Sequence, residues 1–116
     1  MDNYMQRGGL KWGDDLFLNS INVTYPFAKI EVFPNKIMFK VNVLGVYRKE
    51  INLDKSDIIK IKLKRYVLNK GFLFSHNNLK TAPILIFWSF ASKELMENLI
   101  NMGYEDVIDT KQMGGG

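Results

Sequence analysis

The chain has 116 residues, a length that fits a single domain. Hydrophobic residues make up 47% and charged residues 24%, close to the averages for folded globular proteins, which excludes a disordered or collagen-like chain. The sequence contains no cysteine, so disulfide scaffolds, thiolate zinc sites and cysteine nucleophiles are excluded. The net charge of +4 is uneven: residues 29–80 hold twelve Lys or Arg against four acidic residues, whereas the flanks hold four against eight. We expect this basic middle region to steer charged partners.

Residues 1–19 contain Gly8 and Gly9 but no clear apolar period, and they are predicted to form a mobile or loosely packed N-terminal segment. They lack the apolar run of a secretory signal, and no part of the chain approaches the ~18 apolar residues that span a bilayer. A cytoplasmic location is therefore expected. Ile21–Tyr25 is the first segment that fits a strand.

Apolar residues recur with a period of two over most of the chain up to Ser92, which predicts strands that are buried on one face. In chain order, these segments are Phe27–Phe33, Ile37–Val43, Val46–Leu53, Ile58–Lys64, Phe72–His76 and Ile84–Phe90. Pro34 and Asn35 predict a tight hairpin between the first two segments, and Gly45 permits the next reversal of the chain. The clearest alternation predicts two opposed rows: Ile59, Ile61 and Leu63 inward, with Lys60, Lys62 and Lys64 outward.

The apolar period lengthens to that of a helix at Ser92, and a helix is predicted from Ser92 to Met102. Ser92 is predicted to cap its N-terminus. Gly103 is predicted to end it in the left-handed conformation, so that Tyr104 packs on Leu99 in a Schellman motif.

Six or seven strands followed by one helix predict a barrel of two packed antiparallel sheets, because closure protects the sheet edges. The helix would then cover the open end. Five segments share their apolar spacing with a known family: Tyr25–Val32, Ile37–Val41, Ile58–Ile61, Ile84–Phe90 and Ser92–Gly103. Over Pro26–Gly103 the chain resembles small pleckstrin-homology-like (PH-like) domains of the GRAM and bacterial type.

The resemblance implies a seven-stranded, two-sheet barrel capped by one C-terminal helix, which acts as a membrane-targeting or protein-binding module without catalysis. Residues 20–104 are expected to form this domain, and residues 105–116 a C-terminal tail. A membrane-binding member is expected to carry a Lys near the end of its first strand and a basic pair at the start of its second. Here Lys29 lies in mid-strand and Lys36 is followed by Ile37 and Met38, so inositol phosphate binding at that loop is not expected.

A second basic feature follows if the first four clear strands lie side by side. Their outward rows would bring together six basic residues: Lys29, Lys40, Arg48, Lys60, Lys62 and Lys64. Only Glu31 and Glu50 would oppose them. Such a face could attract the phosphates of an anionic lipid surface, whereas the alternative is that these residues only keep exposed strands soluble.

Phe27 and Phe33 lie on the same side of the first clear strand and form a candidate protein-binding patch if they are exposed. Binding of single-stranded nucleic acid is not expected, because few aromatic residues are left for one accessible face. His76 is the only histidine, and no catalytic residue, metal or cofactor is predicted. The sequence thus predicts a non-enzymatic module that binds protein, with weak binding to anionic membranes as the alternative.

Overall fold

The computed structural model describes residues 3–15, 19–65 and 70–109. Seven antiparallel strands form one curled, half-barrel sheet, which confirms a mainly β fold with one helix. The strands are β1 (Tyr4–Gly13), β2 (Ser20–Val32), β3 (Lys36–Val43), β4 (Tyr47–Asp54), β5 (Ile58–Arg65), β6 (Lys70–His76) and β7 (Ile84–Ser89). The helix α1 covers Ser92–Asn101, and short 3-10 turns cover Lys55–Asp57 and Glu105–Val107. The strand order is β4-β3-β2-β1-β7-β6-β5.

The N-terminal segment differs from its prediction. Where a loosely packed segment was expected, residues 4–13 form β1, the central strand, which pairs with β2 on one side and β7 on the other. Gly8 is buried here, and a Cβ atom on it would lie 2.1 Å from the carbonyl oxygen of Trp88. Gly8 therefore permits a close approach between strands, which a sequence pattern cannot distinguish from a mobile glycine.

The second strand is longer than predicted. β2 unites Ile21–Tyr25 and Phe27–Phe33 in one strand, and its register with β1 shifts where Gly8 faces Ala28 but Leu10 faces Val23. Such a bulge bends the strand and increases its twist. Tyr25 lies within the bulged part of β2 and is exposed.

The inward row of β5 was predicted wrongly at one position. The register of β5 with β6 shifts between Ile58 and Lys60, so a bulge breaks the alternation there. Ile58 is consequently buried and Ile59 is 58% exposed, while Ile61 and Leu63 are buried as predicted. Strict alternation over the whole segment would have required an unbroken ladder.

The core lies inside the curve of the sheet. Phe39 of β3 and Phe74 of β6 meet edge to face across it, with ring centroids 5.1 Å apart, and Phe87 of β7 lies beside Phe39. Leu95, Met96 and Leu99 of α1 join the same buried cluster. The apolar stripe predicted for the helix thus belongs to the main core of the domain.

The predicted Schellman motif at the C-terminal end of α1 is confirmed. Gly103 has φ +96°, the Tyr104 N–H donates to the Leu99 carbonyl at 3.0 Å, and the Gly103 N–H donates to the Ile100 carbonyl at 3.1 Å. These are the two hydrogen bonds of a Schellman motif. The N-terminal prediction is wrong, because Ala91 is the N-cap residue and no side chain caps the helix there.

Residues after the helix pack on the domain. Tyr104 is fully buried, and its hydroxyl donates to the carbonyl of Phe33, the residue that follows β2. Ile108 is also buried and forms a parallel bridge with Ile61 of β5. The expected tail is therefore corrected for residues 105–109, while 110–116 lie outside the described residues. Within the described ranges, no helix is long and apolar enough to cross a membrane.

Candidate functional site

The structure divides the six predicted basic residues into two groups. Lys29, Lys40 and Arg48 lie on β2, β3 and β4, where Lys29 faces Lys40 across the ladder. The other three are Lys60, Lys62 and Lys64 of β5. Although β5 follows β4 in the chain, the two strands form opposite edges of the sheet, so the expectation of one shared row is corrected.

The two predicted protein-binding aromatics are half-buried rather than exposed. Phe27 packs against the core cluster, and the Phe33 ring lies 5.3 Å from the ammonium nitrogen of Lys36. The exposed aromatic pair is instead Tyr25 and Phe90, whose rings meet edge to face at 5.4 Å. The bulge in β2 that exposes Tyr25 has no signal in the apolar pattern.

Among the described residues, β5 is an edge strand of the sheet. β5 pairs with β6 on its inner side, and on its outer side the Ile61 carbonyl accepts from the Asp109 N–H at 2.9 Å. Alternate residues of a strand direct their backbone groups to the same side, so Leu63 and Arg65 share the outer side with Ile61. Within the described ranges, no strand other than β6 pairs with β5.

A groove runs beside this edge, between β5 and α1, with a volume of about 380 Å³. Its apolar lining comes from Leu63 of β5 and from Met96 and Ile100 of α1. Its charged lining is mainly basic: Arg65, Lys70 and Lys93 stand against one acid, Glu97. The edge and the groove together offer backbone hydrogen-bonding groups, an apolar surface and positive charge.

The apolar lining of the groove could be predicted from the sequence, but its position could not. Leu63 was predicted inward, and the helical stripe was predicted apolar. The groove exists because β5 is an edge strand that lies against α1, and this depends on pairing between distant segments. Arg65, Lys70 and Lys93 gave no signal beyond the general basic excess of the chain.

The side chains of His76 and Ser89, two residue types that can serve in catalysis, make hydrogen bonds that stabilise the fold. The Asn78 N–H donates to His76 Nδ1 at 3.1 Å, so the other ring nitrogen, Nε2, carries the hydrogen and donates to the Ala82 carbonyl at 2.9 Å. The buried Ser89 hydroxyl donates to Gln6 Oε1 and accepts from the Ala91 N–H. These bonds hold a loop and the junction of β7 with α1.

The buried Tyr104 also has a structural partner. Burial raises the pKa of its phenol, which keeps the O–H protonated as a donor to Phe33. Across the described residues, no group of three or more His, Asp or Glu side chains could hold a metal ion.

No protein-family model matches this sequence, and no curated protein matches it. The function of the chain is therefore inferred from its own surfaces.

Proposed function

We propose that this chain is a non-enzymatic, PH-like interaction module that binds an extended segment of a partner protein between β5 and α1. The observation that carries the proposal is the position of β5 as an edge strand, among the described residues, beside an apolar groove with a basic lining. The PH-like architecture is supported by seven antiparallel strands followed by one helix. In this architecture β1–β4 and β5–β7 would form two packed sheets, with α1 covering the opening between them.

The backbone of the partner would be held by strand addition. An exposed edge strand presents unpaired N–H and C=O groups, and an extended peptide can satisfy them as an additional strand. The backbone N–H and C=O groups of Leu63 and Arg65 point to the same side of β5 as those of Ile61. The Ile61 carbonyl already accepts a hydrogen bond from the Asp109 N–H. The bridge between Ile61 and Ile108 shows that this side of β5 can pair with an extended segment.

The side chains of the groove would select the sequence of the partner. Leu63, Met96 and Ile100 offer an apolar surface for alternate side chains of the peptide. Successive residues of an added strand face opposite sides of the sheet, so the intervening residues of the peptide would lie beside Lys62 and Lys64 of β5, which favour acidic side chains. Arg65, Lys70 and Lys93 add positive charge at the groove itself. We therefore expect an extended segment in which apolar and acidic residues alternate.

Selection from a phage-displayed library of random peptides tests this proposal without a known partner. Peptides selected on the wild-type chain are expected to alternate apolar and acidic residues, and their affinities can be measured by fluorescence anisotropy. Replacing the exposed Lys93 by Glu together with Arg65→Glu should weaken them about tenfold or more, since the charges facing the peptide are reversed. Lys49→Glu combined with Lys80→Glu is the matched control, because it changes the net charge equally at two exposed residues that do not line the groove.

A modified peptide separates strand addition from simple charge attraction. Methylating a backbone nitrogen that faces β5 removes one hydrogen bond and should abolish binding, whereas methylating the next nitrogen should have little effect. The proposal fails if the wild-type chain selects no peptides. It also fails if the selected peptides bind the double variant as tightly as the wild type.

A further inference from the structure

The hairpin between β3 and β4 ends in a tight turn with an uncommon sequence. The Val46 N–H donates to the Val43 carbonyl at 3.0 Å, and the Gly45 N–H donates to Asn42 Oδ1 at 2.8 Å. Leu44 has φ +54° and Gly45 has φ +75°. Two central residues with positive φ make a type I′ turn, in which the favoured sequence is Asn-Gly or Asp-Gly.

Leucine at this position has a backbone cost and no packing gain. A left-handed conformation costs a residue with a Cβ atom about 1 kcal/mol or more, and among the described residues Leu44 is the only non-glycine with positive φ. Its side chain is 81% exposed, and that of Val46 is 90% exposed. Two aliphatic side chains thus project from a rigid tip into solvent, where they contribute nothing to the core.

Basic residues lie directly behind this apolar tip. Arg48 and Lys49 follow it on β4 and are exposed, and successive strand residues point to opposite faces, so each face of the hairpin carries one charge. Lys40 on β3 is already paired, since its Nζ lies 3.9 Å from Glu31 Oε1 and it faces Glu50 across the ladder, so Arg48 and Lys49 are the bases nearest the tip. Tyr47, 41% exposed, lies between the aliphatic tip and these charges.

We propose that the β3–β4 hairpin inserts its tip into the surface of an anionic lipid bilayer. Leu44 and Val46 would enter the boundary between headgroups and acyl chains, where exposed aliphatic surface leaves water. Tyr47 would lie at headgroup level, since its ring is apolar and its hydroxyl is polar. Arg48 and Lys49 would remain among the lipid phosphates on the two sides of the hairpin.

This site is separate from the groove between β5 and α1. The tip belongs to β3 and β4, at one edge of the sheet, and the groove belongs to the opposite edge. A shallow depression of about 370 Å³ lies beside Lys40, Arg48 and Lys49, three bases against the one acid Glu50, and would receive a lipid phosphate. The occupant is a bilayer rather than a soluble phosphate, because a soluble phosphate has no apolar surface for the exposed Leu44 and Val46 to contact.

Leu44→Asn provides a test that does not depend on damaging the fold. Asparagine suits the type I′ turn better than leucine, so the thermal midpoint should stay constant or rise. Sedimentation with phosphatidylglycerol-containing vesicles should nevertheless show binding about tenfold weaker or more, because one of the two inserted side chains is lost. Ile59→Asn, at an exposed aliphatic residue beyond the far end of β4, should bind the vesicles as the wild type does.

The basic residues are tested by Arg48→Gln combined with Lys49→Gln. Each basic residue near an anionic surface strengthens binding about fivefold, so removing both should weaken vesicle binding about thirtyfold. Binding of the wild type should fall steeply with added salt and should be weak on phosphatidylcholine vesicles. Inositol hexaphosphate, a soluble anion, should compete poorly.

A single fluorescent label locates the contact. The chain has no cysteine, so Leu44→Cys and Ile59→Cys can each carry one environment-sensitive dye. Addition of phosphatidylglycerol vesicles should raise and blue-shift the emission of the dye at position 44 and leave the dye at 59 unchanged. The proposal is overturned if wild type fails to bind these vesicles, if Leu44→Asn binds them equally, or if only inositol hexaphosphate binds.

Discussion

Two isoleucines of β5 provide a matched test of the bulge in this strand. Ile61 has no exposed surface, whereas Ile59, two residues earlier in the same strand, is 58% exposed. An unbroken alternation would place both side chains in the core. The register shift between Ile58 and Lys60 separates them instead, so the same substitution should have different consequences at the two positions.

Replacing Ile61 by Ala removes three carbon atoms from the core. At about 0.8 kcal/mol for each buried CH₂ group, the transfer contribution alone is about 2.4 kcal/mol, and the remaining cavity raises the expected loss to about 2–5 kcal/mol. That is a large share of the ~5–15 kcal/mol by which a folded domain is typically stable. Ile59→Ala should cost less than about 0.5 kcal/mol, as exposed substitutions usually do.

Equilibrium urea denaturation measures both variants, with the fluorescence of the buried Trp12 and the half-buried Trp88 as a probe of unfolding. The midpoint for Ile61→Ala should fall strongly, while the slope with urea stays near that of the wild type. Equal losses in the two variants would show that the alternation is unbroken. A loss below about 1 kcal/mol for Ile61→Ala would show that the inward and outward rows are reversed.

Three further predictions concern the buried Tyr104, two glycines and the lysines of β5. Tyr104→Phe removes the donor to the Phe33 carbonyl and should cost about 1–3 kcal/mol in urea denaturation. Because burial raises the pKa of Tyr104, the stability from its neutral phenol is complete below about pH 10 and is lost as pH rises above that value. The variant should therefore lose stability less steeply in alkali, and an unchanged slope would contradict the assignment. Gly8→Ala should cost more than about 2 kcal/mol, because the new Cβ would meet the Trp88 carbonyl oxygen. Gly45→Ala, where the nearest atom to a new Cβ is 4.0 Å away, should cost only about 1 kcal/mol from its positive φ. Replacing Lys60, Lys62 and Lys64 by Gln should weaken the binding of the selected acidic peptides. It should weaken vesicle binding less than Arg48→Gln with Lys49→Gln does, although it removes one charge more. The opposite ranking would place the membrane contact on β5.

Local features of the structure could be predicted from neighbouring residues. The strands β3 and β4 follow the alternation of apolar and polar residues, and the hairpin at Pro34 and Asn35 follows from their turn chemistry. The end of α1 at Gly103 also follows from local chemistry, because glycine adopts positive φ without the steric cost of a Cβ atom. Each of these features depends on residues that lie close together in the chain.

The positions of the two candidate sites depend on structural features that the local apolar pattern does not contain. At the β3–β4 tip, Gly45 predicted a reversal, but the exposure of Leu44 and Val46 required the turn type and the place of this hairpin at a sheet edge. For the groove, the apolar character of Leu63 and of α1 was predictable. Their meeting beside an edge strand was not, because it depends on which strands pair.

The sequence by itself therefore determined the mainly β class, most strand segments and the end of the helix, since period and turn chemistry act over a few residues. Only the tertiary structure decided that residues 4–13 form the central strand, because the apolar pattern does not state a strand's partners. It likewise decided that a bulge exposes Ile59, since a shift of one residue in the ladder turns the side chain to the other face. The separation of the basic residues has the same origin: β4 and β5 are neighbours in the chain but lie at opposite edges of the sheet.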